Sequence, residues 1–340
     1  MTGSGYDRLT VNEGELGRRD RLNQGANGTI WQLSHYHLAS DPGVLVYKQY
    51  QGTAAKGVSL PGLANIVQAR LRLTARQREI FDELTVWPLR VVVDGAGAPV
   101  GVLMRLINNA FMQEMKLPSG KRETVAREVQ HLIFDPGVAR QGGIDVPADR
   151  DARSRFTVCE RIALAISIIH GANLVYGDLS ARNVLYRLRP TPSVLLVDCD
   201  AARVKGSAAV NKQQNSPDWD APEGGQQTQA SDRYKLALFV LRCLTPGRNA
   251  SLNRDPATAD AALDPQGRDL MRAALTGPSA ERPLAREWLS YLRQRIGLRP
   301  LPPRSGQPRQ ATNQTYAGPR IPQQDAVGWR KGDDGVWVRV

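Results

Sequence analysis

An α+β fold, strands first and helices later, is predicted by three observations along the 340 residues. β-patterned segments crowd between Leu22 and Ile107, helical patterns dominate beyond Phe111, and a short strand-rich stretch lies between the two clearest helices. The expected architecture is bilobal: a small N-terminal antiparallel sheet with one helix, then a larger, mainly helical C-terminal lobe. With 41% apolar and 23% charged residues the chain is ordinary globular material, which excludes disordered and fibrous classes.

Residues 1–14 carry no pattern and are read as a flexible N-terminus. Within residues 15–107, the N-terminal lobe, GTIWQL from Gly28 and VLVYKQY from Val44 read as strands joined across the Asp-Pro-Gly turn at Asp41. LRVVV from Leu89 and VGVLMRLI from Val100 flank a second turn at Asp94. Between the two hairpins, Ile66, Leu73, Ile80 and Leu84 fall at helical spacing and predict one inserted helix over Gly62 to Leu84. Residues 108–298 form the helical lobe, clearest at Phe156 to Ile169 and Asp232 to Leu244, with strands NVLYRL from Asn183 and SVLLVD from Ser193 between them. GVARQGGIDVPADRDAR from Gly137 is turn-rich and reads as a surface loop. Residues 299–326 are dense in Pro, Gln, Gly and Arg, a linker composition. In residues 327–340, Trp and Val alternate around an Asp-Asp-Gly turn, as in a short hairpin or tail.

The formal net charge of +12 suits a polyanion, yet the basic residues are scattered rather than blocked, so it indicates phosphate affinity without choosing a partner. Nucleic-acid binding is not implied, since Trp329 and Trp337 suit cross-strand packing better than base stacking. Three cysteines, Cys159, Cys199 and Cys243, form no C-x-x-C, so neither a disulfide framework nor a cysteine zinc site is indicated. His35 and His37 have no third ligand near them in sequence. No apolar signal core opens the chain, and IALAISII from Ile162 and LALFVL from Leu236 are too short to span a bilayer. A cytoplasmic protein without a membrane span is expected, its oligomeric state unreadable.

The chemistry concentrates at Y-G-D-L-S-A-R-N-V-L, Tyr176 to Leu185, and at V-D-C-D, Val197 to Asp200. Asp178 and Asn183 stand five apart on an expected loop, and Asp198 ends the next strand. A carboxylate to accept a hydroxyl proton, then an amide and a second carboxylate to hold Mg²⁺, is what phosphoryl transfer from ATP requires.

This segment resembles the catalytic loop and metal motif of the protein kinase superfamily, with a bacterial Ser/Thr-kinase-like Gly-Asp variant of the loop and Asp-Cys-Asp at the metal motif. The resemblance extends over about Leu16 to Ile296. It implies that Asp178 is the catalytic base and that Asn183 and Asp198 hold Mg²⁺. L-N-Q-G-A-N-G-T-I from Leu22 is similar to the glycine-rich loop, which implies nucleotide contacts from Gly25, Ala26, Asn27, Gly28 and Ile30. Lys48 stands where the family keeps the lysine that contacts the α and β phosphates. Glu79 is its expected ion-pair partner, with Glu83 as competitor. The adenine is expected against Met104 and the backbone near Leu106 and Ile107. Ala221-Pro222-Glu223 resembles the close of an activation segment, Asp232 the aspartate that braces the catalytic loop, and Arg282 the arginine that pairs with that glutamate.

Departures from the pattern bear on function. Gly177 replaces the usual arginine before the base, which removes the common route of activation by a phosphorylated segment. Ser180 stands in place of a Ser/Thr-kinase lysine while Arg182 matches a tyrosine-kinase loop, so hydroxyl specificity is open. Cys199-Asp200 replaces Phe-Gly, and without glycine the metal loop is expected to reorient less easily. The implied function is ATP- and Mg²⁺-dependent phosphorylation of protein substrates, with Ser207 and Ser216 as candidate acceptors within the chain. A small-molecule kinase and a nucleotide-binding pseudokinase are the alternatives.

Overall fold

The computed structural model describes residues 6–25, 28–41, 43–52, 57–117, 119–148, 151–207, 216–302, 329–331 and 337–339. The turn residues Ala26 and Asn27 lie outside them, as does most of the expected linker. Two units are distinguished, Met1–Leu301 and Pro302–Val340.

The first unit begins with a six-stranded sheet. Its strands are β1 (Thr10–Asn12), β2 (Arg19–Gly25), β3 (Gly28–Leu33), β4 (Leu45–Tyr50), β5 (Arg90–Val93) and β6 (Pro99–Arg105), in the spatial order β1-β5-β6-β4-β3-β2. All pairings are antiparallel except β1 on β5, where Thr10 faces Val91. The expectation of a flexible end through residue 14 is therefore corrected for Tyr6 onward. Leu9 and Val11 are both buried, and this apolar pair draws the segment onto the sheet edge.

Both faces of the sheet are covered, and the two-residue period of β4 sorts its side chains between them. Leu45 and Tyr47 join Val11, Leu16, Leu33, Leu89, Val92 and Leu103 in an outer cluster. Val46 and Tyr50 join the main core on the other face. Lys48 falls between them in the alternation, so strand periodicity alone aims it inward. Its neighbours on both sides approach closely: a Cβ on Gly28 would meet the Gln49 carbonyl oxygen at 2.1 Å, and one on Gly101 would meet that of Lys48 at 2.2 Å.

Where one inserted helix was expected there are two, α1 (Leu60–Leu71) and α2 (Ala75–Leu84). Thr74 makes the break: its hydroxyl accepts from the Gln77 N–H while the Gln77 side chain accepts from the Thr74 N–H, a capping box that starts a new helix. The helix α1 packs on β5, whereas α2 packs on the helical part of the unit.

Beyond Phe111 the expected helix is preceded by a hairpin, β7 (Met112–Lys116) with β8 (Arg122–Ala126), closed by the Leu117 N–H donating to the Lys121 carbonyl and by Gly120 at φ +82°. Two short helices follow, α3 (Gln130–Ile133) and α4 (Pro136–Gln141). The latter lies in the stretch expected to be loop, and Asp135 caps it by accepting the Gly137 and Val138 N–H groups. Then come α5 (Ala152–Gly171), β9 (Leu174–Val175), β10 (Val184–Arg187), β11 (Ser193–Leu196), β12 (Arg203–Val204), α6 (Gln229–Leu244), α7 (Pro265–Thr276) and α8 (Ala285–Arg295). The helix α5 is the hub, packed on α8, α6, α2 and β11. Mixed α+β architecture with an antiparallel-rich sheet first and helices after it is thus observed. No helix among the described residues is long and apolar enough to cross a membrane. In the second unit, β13 (Trp329–Lys331) pairs antiparallel with β14 (Trp337–Arg339).

Candidate active site

The hairpin β10–β11 delivers two of the expected site residues to one end. Val184 faces Leu196, and the Val197 N–H donates to the Asn183 carbonyl at 2.9 Å, so Asn183 enters one strand where Asp198 leaves the other. Tyr176 fastens this end: its hydroxyl donates to the Val197 carbonyl at 2.6 Å and also reaches that of Asn183 at 3.3 Å. Asn183 Nδ2 in turn donates to the Asp178 carbonyl at 2.9 Å and to its Oδ2 at 2.7 Å. Ser216 donates to the remaining oxygen, Asp178 Oδ1, at 3.0 Å. A hydroxyl thus already sits on the expected base.

From the sheet, Lys48 Nζ reaches Asp198 Oδ1 at 2.9 Å and Asp200 Oδ1 at 2.8 Å. Burial pulls the Lys48 ammonium down, but the carboxylates of Asp200 and Asp198 outweigh it and leave its pKa raised. Lys48 is therefore charged at neutral pH. Asp198 adopts a left-handed backbone, φ +53° and ψ +36°. Cys199 beside it is fully buried and donates to the Leu196 carbonyl at 3.4 Å, and burial pushes its thiol pKa up. The side chain after Asp198 anchors the turn in the core while Asp198 itself faces the opening.

The loop from Tyr176 to Asn183 is mounted on α6. Asp232, fully buried in the first turn of that helix, accepts from the Gly177 N–H at 2.9 Å through Oδ1 and from the Tyr176 N–H at 2.9 Å through Oδ2. His170 Nε2 lies 3.1 Å from Oδ2. One turn on, the buried Lys235 donates to the Gly177 carbonyl at 2.7 Å, and burial lowers its pKa. The Glu223 carboxylate and the Arg282 guanidinium form two parallel bonds of 2.7 Å each. This pair ties the end of the segment that contains Ser216 to the region after α7.

Glu79 is not the partner of Lys48. It is solvent-exposed on α2, a helix that packs mainly on α5 and β11 and meets the sheet through Asp82, which accepts from Arg105 of β6. The competitor Glu83 is no closer to that role. Burial raises its pKa, the neighbouring Glu79 raises it further, and the charges acting against this are Arg161 and Arg187. Of the other expected nucleotide residues, Gly25 pairs with Gly28 at the end of the β2–β3 hairpin, and Ile30 lies opposite Lys48 in register. Met104 is buried opposite Val46. Leu106 is partly exposed and spends its N–H on the Val44 carbonyl at 2.9 Å, while among the described residues the Ile107 N–H meets no partner.

The donor set suits a hard cation. Asn183 uses its amide N–H groups on Asp178 and Asp198 uses Oδ1 on Lys48, so Asn183 Oδ1 and Asp198 Oδ2 are the atoms without a bond among the described residues. One carboxylate and one amide oxygen, with phosphate oxygens completing the shell, is an ordinary Mg²⁺ arrangement. Among the described residues no cluster of three or more His, Cys, Asp or Glu could hold a metal by itself.

Sequence reasoning missed Asp200 and Lys235 as site-supporting residues. The signal for Asp200 was present in the D-x-D pattern. For Lys235 it was a cation three residues after Asp232, immediately before the apolar run Leu236 to Leu241.

Among solved structures the chain is similar to one described as the ROP18 kinase domain in complex with AMP-PNP and sucrose. The identity is 14% and the TM-score 0.49, over 82% of this chain and 79% of that chain. No family model and no curated protein matches the chain.

Proposed function

We propose that this protein is a cytoplasmic, ATP- and Mg²⁺-dependent protein kinase of the Ser/Thr type that transfers the γ-phosphate to protein hydroxyls in a bacterial-type signalling role. The observation that carries the reading is the single chain of contacts Lys48–Asp198 and Asn183–Asp178, joined through the open end of the β10–β11 hairpin. Asp178 orients a substrate hydroxyl and takes its proton. Asn183 and Asp198 would hold Mg²⁺, which neutralises charge on the phosphates. Lys48 would meet the α and β phosphates, the Gly25–Gly28 hairpin would cover them, and Met104 with the Leu106 carbonyl and the Ile107 N–H would receive the adenine. The Glu223–Arg282 pair favours a protein substrate over a small molecule, because it fixes a segment whose purpose in this reading is to present a peptide.

The test is incubation of purified protein with γ-labelled ATP and Mg²⁺, beside Asp178→Asn and Asp198→Ala variants and a reaction without Mg²⁺. Label on the protein or on generic protein substrates, absent in both variants and without the metal, is the expected result. Ser207 and Ser216 are the first acceptors to map by mass spectrometry. Label on small hydroxylated molecules alone would replace the protein-kinase reading with a small-molecule kinase. Thermal stabilisation by ATP without any transfer would replace it with a pseudokinase.

A further inference from the structure

A strand lysine that serves a nucleotide must be held charged and aimed, and three observations bear on what holds Lys48. The helix packed against β5 and β12, α1, reads LPGLANIVQARL and contains no acid. Of the acids of α2, Glu79 and Glu83 are exposed, and the largely buried Asp82 is engaged by Arg70 and Arg105 rather than by Lys48. Asp200, by contrast, lies 2.8 Å from Lys48 Nζ with a side chain only 4% exposed, whereas Asp198 at 2.9 Å is 50% exposed.

The difference in burial separates the two carboxylates. Asp198 can turn an oxygen toward a cation in the opening at little cost, since water already solvates it. Asp200 cannot leave Lys48 without stranding a buried charge. The hydroxyl of Tyr50 is buried in the same place, close enough for Asp200 to raise its pKa after burial itself, although it completes no hydrogen bond of good geometry. The wall around Asp200 is therefore closed by protein.

We propose that Asp200 is the positioning residue for Lys48, taking the part that a helix-borne glutamate was expected to play. The lysine is aimed from within the loop that carries Asp198, so its placement does not depend on where α1 or α2 sits. The consequence for nucleotide binding rests on the proposed function. The pairing itself does not.

The test has two arms. In the nucleotide-free protein, a double-mutant cycle compares melting temperatures of Lys48→Met, Asp200→Asn and their combination, beside Lys48→Met, Glu79→Gln and theirs. Strong non-additivity for 48 with 200 and additivity for 48 with 79 is expected, because only groups in contact couple. Additive 48 and 200, or coupled 48 and 79, would overturn the proposal.

In the second arm, calorimetric titration with ATP and Mg²⁺ should show Asp200→Asn weakening binding about tenfold or more, the worth of one charge-assisted hydrogen bond, with Asp200→Glu recovering part of it. The combined Glu79→Gln and Glu83→Gln variant should stay within about twofold of wild type. That surface variant keeps the proposal open to refutation even if Asp200→Asn does not fold, since a tenfold loss there contradicts it directly. Coupling of 48 with 200 alongside unchanged affinity in Asp200→Asn would make the contact merely structural and also overturn it. If wild type binds no ATP, the phosphotransferase reading fails while the first arm still decides the pairing.

Discussion

Asp232→Asn isolates what the buried carboxylate under the Tyr176–Asn183 loop contributes. Two oxygens receive three donors: Gly177 N–H on Oδ1, and Tyr176 N–H with His170 Nε2 on Oδ2. An amide keeps a single acceptor. Its best placement leaves the oxygen with Tyr176 and His170 and turns the NH₂ group toward the Gly177 N–H, donor against donor. The loss is one charge-assisted bond plus a stranded buried N–H, about 1.5–3 kcal/mol. At about 2–4 °C per kcal/mol, the figure for domains of about 150–250 residues, the melting temperature should fall by about 3–12 °C. Calorimetry reads the global term, and amide hydrogen exchange resolved to single residues reads the local one, with protection at Gly177 falling more than at Tyr176. A fall below about 1 °C, or equal loss of protection at the two amides, would refute the division of labour between the two oxygens.

Three further outcomes follow from contacts elsewhere. The hydrogen bonds from Arg282, acting against burial, hold the Glu223 carboxyl below its ordinary range. A depressed folded pKa contributes stability above the unfolded range and loses it as pH falls through the folded value, so wild type should lose melting temperature faster than Glu223→Gln below about pH 4. Parallel curves would contradict this. Tyr176→Phe removes the donor to the Val197 carbonyl and should lower the melting temperature by about 2–12 °C, the cost of an orphaned buried acceptor. Thr74→Ala should cost about 1 kcal/mol as a lost helix cap, read by urea denaturation, and leave ATP affinity unchanged.

The α+β order was legible because hydrophobic periodicity reports burial directly, and β4 illustrates it: alternation alone places Lys48 on the face of Val46 and Tyr50. The juxtaposition of Asp178, Asn183 and Asp198 was legible because the first two share one short segment and a hairpin returns Asp198 to it. What escaped depended on choices that spacing does not encode. The apolar spacing of Ile66, Leu73, Ile80 and Leu84 runs through Arg72 to Thr74 without a gap, so only the Thr74–Gln77 cap reveals two helices. Glu79 looked apt because it lies on a helix after the lysine strand, and no periodicity in R-Q-R-E-I-F-D-E-L states which partner that helix packs against. Asp200 was read as a missing glycine when it is an added charge, since its value lies in a contact 152 residues away in sequence. The β7–β8 hairpin was hidden by its surroundings, as only Gln113 of Met112–Lys116 is buried and no apolar alternation marks the strand.

The close approach of Gly28 and Gly101 to the backbone of β4 has a consequence for how this protein would look to a saturation-mutagenesis survey. Any side chain at either position pushes on the carbonyls of Gln49 or Lys48 and shifts the peptide from which the lysine projects. A fitness map would colour both glycines as strongly as Asp178, although in this geometry their intolerance is that of spacers. Counting intolerant positions would therefore overstate the chemical site and understate the scaffolding that holds one strand in line.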